Sequence, residues 1–210
     1  MNLFKKIVLM LLGLFVMAVA MALLSAADMG ISPVQSLAYV ISQKIPDVIT
    51  FGTASAIWNF ILLVIQLVLL RRKFRLWELL QIPLTLYFAA VIDLARKIVT
   101  VSPEVFSERF IIMLSGVVVL SLGILLTVEA GLVMNSGEAT VKAISQTLNK
   151  PFGTVKVLFD IVIVASASAA TVLFFGKFRF DMIGIGTLSC ALLTGSIIKV
   201  LTKLKGYIFK

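Results

Sequence analysis

A lysine and an aspartate stand four residues apart inside an apolar stretch, where their charged groups could carry protons or contact a substrate. They are Lys156 and Asp160, within Phe152–Phe175. In a helix this spacing puts both side chains on one face, and an ionisable group in hydrocarbon is a candidate functional group because burying its charge is costly. An isolated carboxylate there would take up a proton, whereas a nearby ammonium favours its charged form. Two interpretations stay open: a site that couples protons or contacts a substrate, and an ion pair that holds the helices together.

A similar stretch occurs earlier in the chain, with asparagine in place of the aspartate. FGTASAIWN ends at Asn59, and FGTVKVLFD ends at Asp160. An asparagine side chain offers hydrogen-bond donors and an acceptor but no charge. We predict that the two copies face each other across a symmetry axis and form two unequal walls of one central site. Trp58 stands beside Asn59, where its ring could stack on a ligand or belong to an interfacial aromatic belt.

Two short segments between the long apolar ones carry the remaining polar candidates. In the first, Ser32 precedes a proline, which is typical of a helix N-terminus, and Gln35 follows in the same short helix. In the second, Asn135 or Ser136 can cap the helix, and Glu138 takes the place of Gln35. Broken helices at matching places in two halves indicate a transporter site, and their N-terminal N–H groups favour anionic or carbonyl groups of a ligand. The alternative is a pair of amphipathic segments lying at the membrane interface.

These residues form one predicted substrate site with two predicted proton-coupling groups. The substrate-binding residues are Ser32, Gln35, Trp58, Asn59, Asn135, Ser136, Glu138, Lys156 and Asp160. The proton-coupling residues are Asp160 and Glu138. No catalytic residue, metal ligand or cofactor is predicted, because the chain has no histidine, the commonest metal ligand and the usual base of a serine or cysteine triad. We therefore expect a protein that is not an enzyme.

The composition is that of a membrane protein. Of the 210 residues, 60% are hydrophobic and 14% are charged, whereas soluble domains average about 45–50% apolar and about 25% charged residues. The net charge of +9 does not indicate nucleic-acid binding here, because the lysines and arginines lie in short runs between apolar segments, where they orient a membrane protein. The single cysteine, Cys190, cannot form a disulfide within the chain.

The chain consists of two homologous halves. The tripeptides ISQ, FGT and KFR each occur twice in the same order, starting at 41 and 144, at 51 and 152, and at 73 and 177. A nearly constant offset of this kind indicates an internal repeat. The first repeat covers residues 1–100 with a short helix at 31–43, and the second covers 107–205 with a short helix at 135–146. The two repeats would form a single integral membrane domain.

Each half contains three segments long enough to cross a bilayer and one that is too short. About 20 apolar residues span the hydrocarbon, and roughly 12–14 do not. The predicted spans are 7–27, 51–70, 76–99, 110–128, 152–175 and 182–201. An odd number of spans per half makes the second half enter the membrane in the opposite orientation. We therefore predict an all-α polytopic membrane protein of six transmembrane helices, arranged as two inverted three-helix repeats, each with one short broken or re-entrant helix.

The basic residues predict the orientation of the chain. Most of them would lie in the cytoplasm: Lys5, Lys6, Arg71, Arg72, Lys73, Arg75, Lys142, Lys150, Lys199, Lys203, Lys205 and Lys210. This excess places both termini in the cytoplasm, in a multi-pass protein of the bacterial inner membrane. The first segment looks like a secretory signal, but its counterpart at 110–128 cannot be a leader, so we expect 7–27 to be retained as a span. Asp93 is expected near the outer surface with a local partner.

Several of these stretches resemble the YczE/YitT-like bacterial integral membrane proteins. The stretches are ADMGISPVQSLAYVIS, FGTASAIWN, SGEATVKAISQ, FGTVKVLFD and IGIGTLSCALLTG, and the similarity covers nearly the whole chain. In that family the second short element usually starts with a Gly-Pro-like turn and an acidic residue. Here Asn135, Ser136 and Gly137 replace the turn, and Glu138 matches the acid. The resemblance implies a small transporter-like membrane protein and supplies no substrate.

These features favour a small multi-pass transporter that moves a small organic solute by alternating access between the two repeats, with proton coupling as a further hypothesis. One alternative is a non-transporting accessory or substrate-binding subunit of a larger export, uptake or biosynthetic complex. Another is a dimeric channel, since inverted repeats serve channels too. The expected partners are the lipid bilayer, a small-molecule solute and a second copy of the chain in a homodimer, and nucleic acid is not expected.

Overall fold

Helices make up the regular secondary structure of the described residues. The structure, a computed structural model, describes residues 2–208, and side chains up to residue 204. The helices are α1 (Leu3–Ala27), α2 (Pro33–Lys44), α3 (Phe51–Leu70), α4 (Gln81–Ile98), α5 (Phe106–Ala130), α6 (Ser136–Leu148), α7 (Phe152–Phe175) and α8 (Ile185–Ile208). Two 3₁₀ turns, Arg71–Lys73 and Leu76–Leu80, precede α4. Of the basic residues predicted to face the cytoplasm, Lys210 and the side chain of Lys205 lie outside this part of the chain.

Within residues 2–208, six segments are long and apolar enough to cross a membrane, so the predictions of an all-helical fold and of six candidate spans are confirmed for this part of the chain. They are Leu3–Ala27, Phe51–Lys73, Leu76–Ile98, Phe106–Ala130, Phe152–Phe175 and Ile185–Leu204. The helices α2 and α6 have 12 and 13 residues. At about 1.5 Å per residue they are about 18–20 Å long, which is too short to cross about 30 Å of hydrocarbon.

Helices α1 and α5 form a closely packed antiparallel pair that joins the two halves of the chain. Gly13 of α1 lies against Gly123 and Thr127 of α5, and Gly116 of α5 lies against Leu24 of α1. A side-chain carbon at Gly13 would come within 2.9 Å of the Thr127 backbone nitrogen. Small residues let membrane helices approach this closely, and the resulting van der Waals contact drives their association because lipid supplies no hydrophobic force between them.

The other helices pack around this pair in two corresponding sets. Helix α1 packs on α4 as α5 packs on α8, and α2 packs on α7 as α6 packs on α3. Each short helix also contacts the long helix that follows it, α2 with α3 and α6 with α7. One correspondence is missing: α3 packs along α4, whereas α7 and α8 make no comparable contact among the described residues. The second half is therefore more open than the first.

The glycines of the two FGT segments show this missing contact directly. Gly52, in the first turn of α3, is pressed against α4, where a side-chain carbon would overlap the carbonyl oxygen of Ala89 and lie 2.6 Å from the Asp93 carboxylate. Gly153 holds the matching place in α7, and beyond the adjoining backbone of its own helix no atom of the described residues lies within 4 Å of the position that such a carbon would take. Helix α8 therefore leaves the N-terminal turn of α7 uncovered.

The two short helices meet by their N-terminal ends. Val34, at the start of α2, lies against Gly137, at the start of α6, with 2.8 Å between a Val34 methyl carbon and the position of a side-chain carbon on Gly137. From this point the helices run to opposite ends of the bundle. The Lys44 ammonium, at the end of α2, donates to the carbonyl oxygen of Phe174 at the end of α7 (2.7 Å). Gln146 of α6 instead shares a cavity with residues beyond the C-terminus of α3.

These contacts define two ends of the bundle. The closed end holds the C-termini of α1, α2, α4 and α7 together with the N-termini of α3, α5 and α8, and it is marked by Asp93 and Asp181. The open end holds the opposite termini, including the N-terminus of α1, and it is marked by Lys6, Arg75 and Lys142. The names reflect the packing described below: tight contacts at the first end and a large cavity at the second.

Candidate functional site

Helix α3 presents polar side chains to the start of α2. Ser55 donates to the side-chain oxygen of Gln35 (2.9 Å), and Asn59, one turn further, donates to the Ser55 hydroxyl (3.4 Å). The indole N–H of Trp58 donates to the carbonyl oxygen of Val34 (2.7 Å). Gln35 and Asn59 are 4% and 2% exposed, so these bonds satisfy polar groups that are shielded from solvent. Three predicted site residues, Gln35, Trp58 and Asn59, therefore lie at one helix contact.

Asn59 also lines a small cavity at the start of α6. The cavity has a volume of about 10 Å³, and its lining includes Gln81, Thr85, Asn135 and Ser136. This is about the space that one water molecule needs. The side-chain oxygen of Asn59 has no hydrogen-bond partner among the described residues, so it can accept a bond from a donor placed in this cavity. The structure therefore brings Asn59 together with Asn135 and Ser136.

The predicted caps of the two short helices differ in their bonding. Asn135 is the N-cap of α6, and its side-chain oxygen accepts from the backbone N–H of Ser136 (2.8 Å). Ser32 holds the same place before α2, where Pro33 is the first helical residue, but its side chain makes no capping bond. Proline is favourable at this position because it has no N–H to satisfy. The first turn of α6 is therefore fixed by a side chain, and that of α2 by its proline.

Two buried glutamines tie the start of α6 to α3 and α4. The amide nitrogen of Gln66 donates to the carbonyl oxygen of Ser136 (3.2 Å), to the hydroxyl of Thr140 (3.2 Å) and to the side-chain oxygen of Gln81 (3.3 Å). Gln81 donates back to the side-chain oxygen of Gln66 (3.0 Å). A buried polar network that is satisfied in this way makes its surroundings rigid. It holds the N-terminus of α6 in a defined place beside Asn59.

Lys156 and Asp160 form an ion pair with each other on α7. The Lys156 ammonium donates to an Asp160 carboxylate oxygen at 2.7 Å, and the two side chains are 27% and 14% exposed. No hydrogen bond of the described residues joins this pair to Asn59. Helices α2 and α6, which each pack on both α3 and α7, lie between them. Asn59 and Asp160 therefore belong to separate clusters, and the coupling role of Asp160 stays a prediction.

A large cavity lies beside the start of α6 at the open end. Its volume is about 550 Å³, which is within the range of small-molecule sites. It is enclosed by the N-terminus of α1, segment 75–78, the C-terminal part of α5 and the first turns of α6. The charged residues in its lining are Lys6, Arg75, Glu78, Glu138 and Lys142. Asn135 lines this cavity and the small one at Asn59, so the two cavities are neighbours.

Glu138 and Lys142 both line the large cavity and stand four residues apart on α6. One carboxylate oxygen of Glu138 is buried without a hydrogen-bond partner among the described residues. The ion pairs of the described residues lie on α7 and in the loop before α8. Glu138 and Lys142 therefore have the spacing of an ion pair without forming one. Sequence reasoning missed Lys142 as a site residue, although its spacing from Glu138 equals that of Lys156 and Asp160.

A third cavity, with a volume of about 170 Å³, adjoins the large one. It shares Arg75, Glu78 and Lys142 with it and adds Lys73. Together the two cavities contain four basic side chains and two acidic ones, which makes this end of the bundle attractive to anions. Across residues 2–204, no group of three or more histidine, cysteine, aspartate or glutamate side chains is placed to hold a metal ion. The charged side chains that line these cavities can bind charged groups of a ligand.

At the closed end, Asp93 of α4 caps the N-terminus of α3. The hydroxyl of Thr50 donates to one carboxylate oxygen (2.6 Å), and the backbone N–H of Gly52 donates to the other (2.8 Å). A carboxylate is favourable here because the first N–H groups of a helix lack intrahelical partners and carry a partial positive charge. Asp93 thus fastens α4 to α3.

A second contact at the closed end joins the segment before α2 to the segment before α8. The N–H of Gly30 donates to the backbone oxygen of Asp181 (2.9 Å), and the N–H of Gly186 donates to the backbone oxygen of Met29 (2.7 Å). Gly30 has a φ of +99°, and a side-chain carbon there would lie 2.6 Å from the Gly184 nitrogen. Glycine alone tolerates both the conformation and the close approach. We call this backbone contact the outer seal, after the outward orientation that we propose for the closed end below.

Charged side chains surround the outer seal: Asp28, Arg179 and Asp181 lie outside the long apolar helices, and Arg109 lies in the first turn of α5. Burial raises the pKa of the Asp28 carboxyl, and the positive charge of Arg109 opposes this effect. The Arg179 guanidinium donates to both carboxylate oxygens of Asp181 (2.8 and 2.6 Å), and these bonds hold the pKa of Asp181 below its usual range. Asp181 therefore remains ionised and paired at neutral pH beside the outer seal.

Comparison with known proteins places the chain in a family. No curated protein and no solved structure matches the sequence. A family model described as a family of unknown function (DUF6198) matches residues 4–203, which include both short helices, both FGT segments and the charged residues that line the large cavity. The chain therefore belongs to the DUF6198 family.

Proposed function

We propose that this protein is a small transporter of the bacterial inner membrane, which moves a small organic solute by alternating access between two inverted repeats. Both termini would lie in the cytoplasm, and the six long helices would cross the bilayer. Helices α2 and α6 would be re-entrant, entering the membrane from opposite sides and meeting near its midplane. In an extended form of the proposal, Asp160 and Glu138 couple transport to protons. The YczE/YitT-like resemblance agrees with a transporter-like protein.

The packing pattern supports the inverted repeat. The contacts of α1 with α4 and of α2 with α7 have counterparts in those of α5 with α8 and of α6 with α3. Gln35 and Glu138 hold matching places in the repeat, and each lies in the first turn of its short helix. The two short helices then run to opposite ends of the bundle. Paired half-helices of this kind form the central sites of transporters built from inverted repeats.

The observation that carries the proposal is the difference between the two ends of the bundle. At the closed end, the backbone oxygen of Met29 accepts from Gly186 in the outer seal. At the open end, the repeat places Leu132 in the position of Met29. Its backbone oxygen accepts from the Trp77 indole instead (3.1 Å), and Leu132 lines the cavity of about 550 Å³. Segments that correspond in the proposed repeat therefore make a tight contact at one end and line a cavity at the other, which agrees with one state of an alternating-access cycle.

The charges indicate which state this is. Lys6, Arg75 and Lys142 line the cavity at the open end, and an excess of basic residues marks the cytoplasmic side of a membrane protein. The structure would therefore represent an inward-facing state. In the outward-facing state the outer seal would separate, and the open end would close through the corresponding contact between Leu132 and the start of α4.

Cysteine labelling tests whether the two ends exchange. Cys190→Ala removes the one native cysteine, and Ser32→Cys then places a reporter beside the outer seal. In proteoliposomes, a membrane-impermeant maleimide added outside should label this position slowly, and a transported solute should change the rate. Ser102→Cys is the matched control, because Ser102 lies exposed in the loop between α4 and α5 at the same end, and its labelling should stay fast.

Flux measurements on the same proteoliposomes separate the candidate functions. Saturable uptake together with solute-dependent labelling of Ser32→Cys supports the transporter. Flux that does not saturate and leaves the labelling rate unchanged would indicate a channel. Solute binding without any flux would indicate an accessory or substrate-binding subunit. Either of the last two results would overturn the proposal.

A variant at Gly153 tests the movement of α8. The outward-facing state would bring α8 onto the start of α7, as α4 lies on the start of α3. Gly153→Leu has room for its side chain in the present structure, so the variant should fold normally but lose saturable transport. Ala169→Leu, at an exposed position of α7, is the control and should transport normally. Full transport by Gly153→Leu would contradict closure of α8 on α7.

A further inference from the structure

Four of the five charged residues that line the large cavity lack partners among the described residues, and the fifth, Glu78, accepts a hydrogen bond from the side chain of Gln81 (3.2 Å). Lys6, Arg75 and Lys142 make no side-chain hydrogen bond or ion pair in the part of the chain whose side chains are described, and Glu138 has a buried oxygen without a partner. Burying the Glu138 carboxylate oxygen without a partner is costly, whereas Arg75 and Lys142 are exposed and free to bind a ligand. A ligand with a positive group would relieve this cost at Glu138, and a negative group on the same ligand would be within the field of the unpaired basic side chains, so these groups indicate what the cavity binds.

We propose that the large cavity binds an amino-acid-like zwitterion, a molecule that carries an acid group and a primary ammonium group on an apolar body. Lys142 and Arg75 hold the acid group, and Glu138 accepts from the ammonium group. The inference rests on the proposed function and names the substrate class of that site.

The spacing on α6 fits a bridging molecule. Side chains at i and i+4 on a helix are neighbours, with about 5–6 Å between their Cβ atoms. Lys156 and Asp160 have this spacing and close into a direct ion pair of 2.7 Å, whereas Glu138 and Lys142 stay apart at the edge of the cavity. The unclosed pair offers one negative and one positive group side by side, which matches the two adjacent charges of an amino acid.

The remaining wall of the cavity suits an apolar side chain. Trp77, Val128, Leu132 and Met134 contribute to the lining, and burying apolar surface against such residues adds affinity in proportion to the area removed from water. The volume of about 550 Å³ leaves room for a large amino-acid side chain or a short peptide. The same pair of charges also occurs in the headgroup of phosphatidylethanolamine, so the test must separate a soluble solute from a lipid.

The experiment measures the thermal unfolding midpoint of the full-length protein in detergent. The soluble probes are the free proteinogenic amino acids and the dipeptides of alanine and leucine. The lipid probes are phosphatidylethanolamine and, as its control, phosphatidylcholine, whose methylated nitrogen cannot donate a hydrogen bond. A ligand that binds only the folded state raises the midpoint with concentration. Single-charge analogues complete the set: for leucine, they are leucinamide, which lacks the acid, and 4-methylpentanoate, which lacks the amine.

We expect at least one zwitterion to raise the midpoint and its single-charge analogues to fail at equal concentration. Glu138→Gln and Lys142→Gln should each weaken binding by about tenfold or more, because each removes a charged hydrogen bond to the ligand. Lys150→Gln, exposed after the end of α6, should bind normally. Without ligand, Glu138→Gln should unfold no earlier than the natural protein, because it removes a charge that has no partner. This last result separates a binding role from a structural one.

Three results would overturn the proposal: no shift with any probe, equal shifts with the single-charge analogues, or an undiminished shift in Glu138→Gln. A shift with phosphatidylethanolamine alone supports the binding chemistry and assigns it to a lipid. Because binding is measured at equilibrium, it is independent of transport. Zwitterion binding without flux would support the binding site and contradict the transporter function. Flux of a singly charged solute without zwitterion binding would support the transporter function and contradict the zwitterion site.

Discussion

The two FGT segments begin alike and meet different surroundings. At the start of α3, Asp93 of α4 accepts hydrogen bonds from the Thr50 hydroxyl and from the Gly52 N–H, and α4 leaves no room for a side chain on Gly52. At the start of α7, Gly153 faces open space. The same local sequence therefore starts a helix in both halves, but only the first helix is fastened to its neighbour.

The difference lies in the partner helix. Helix α8 contains no aspartate or glutamate, so the second half has no carboxylate to match Asp93. Without it, closure of α8 on α7 would depend on weaker apolar contacts, whereas closure of α4 on α3 is held by two hydrogen bonds to a charged group. The comparison explains why one end is closed and the other open, and the substitutions below test it, from the largest expected effect to the smallest.

Gly52→Ala should destabilise the protein by about 3 kcal/mol, because overpacking against a backbone carbonyl forces the helices apart. The overlap involves the carbonyl of Ala89, which cannot move without shifting α4. Chemical unfolding in detergent micelles, followed by circular dichroism, measures the change. An unchanged midpoint would mean that α3 and α4 are not in close contact.

Asp93→Ala should destabilise the protein by about 2 kcal/mol, because it leaves the Gly52 N–H and the Thr50 hydroxyl without their charged acceptor. It should also loosen the closed end and speed the labelling of Ser32→Cys from outside. Asp47→Ala, at an exposed site in the loop before α3, is the control and should change neither quantity. Slow labelling in Asp93→Ala would show that the outer seal holds without this cap.

Asp160→Asn should cost about 1 kcal/mol, since it removes a partly buried ion pair with Lys156 and leaves the ammonium unpaired. A double-mutant cycle with Lys156→Gln measures the coupling between the two side chains. The variant resembles the first repeat, where Asn59 stands at the matching place. Full transport with an unchanged pH dependence in Asp160→Asn would remove the proton-coupling hypothesis and leave a structural ion pair.

Gly153→Ala should stabilise the protein by about 0.5 kcal/mol, because alanine lowers the entropy lost on forming the helix and the site has free space. It is the direct counterpart of Gly52→Ala, so the two variants measured side by side should differ in sign. Destabilisation by Gly153→Ala would mean that a neighbour covers the start of α7 after all.

The helices could be predicted well from the sequence because their causes are local. The predicted spans 51–70 and 152–175 agree with α3 and α7 at both ends, since a threonine or proline cap precedes each FGT segment and a basic or glycine-containing run follows it. The short helices begin within two residues of the predicted starts, because Pro33 and Asn135 act on their own first turns. Length, apolar content and capping depend on neighbours along the chain, and so they can be read from it.

The candidate site could be predicted only in part. The repeat pointed to Gln35 and Glu138 at the starts of α2 and α6, where the structure has them. It also led to the expectation of one central site shared by Asn59 and Asp160, but α2 and α6 lie between α3 and α7, so Asn59 faces Asn135 while Asp160 pairs with Lys156. Which helices separate which residues is a matter of packing across the whole bundle.

The sequence by itself therefore determined six apolar helices, two short helices that begin at a proline and after an asparagine cap, and a charged pair on α7, because hydropathy, local start signals and i, i+4 spacing act within one segment. Only the tertiary structure decided that Lys6, Arg75, Glu138 and Lys142 share one cavity, and that α4 covers Gly52 while α8 leaves Gly153 free. The physical reason is that these contacts join residues far apart in the chain, and two homologous segments can pack differently when their partners carry different side chains.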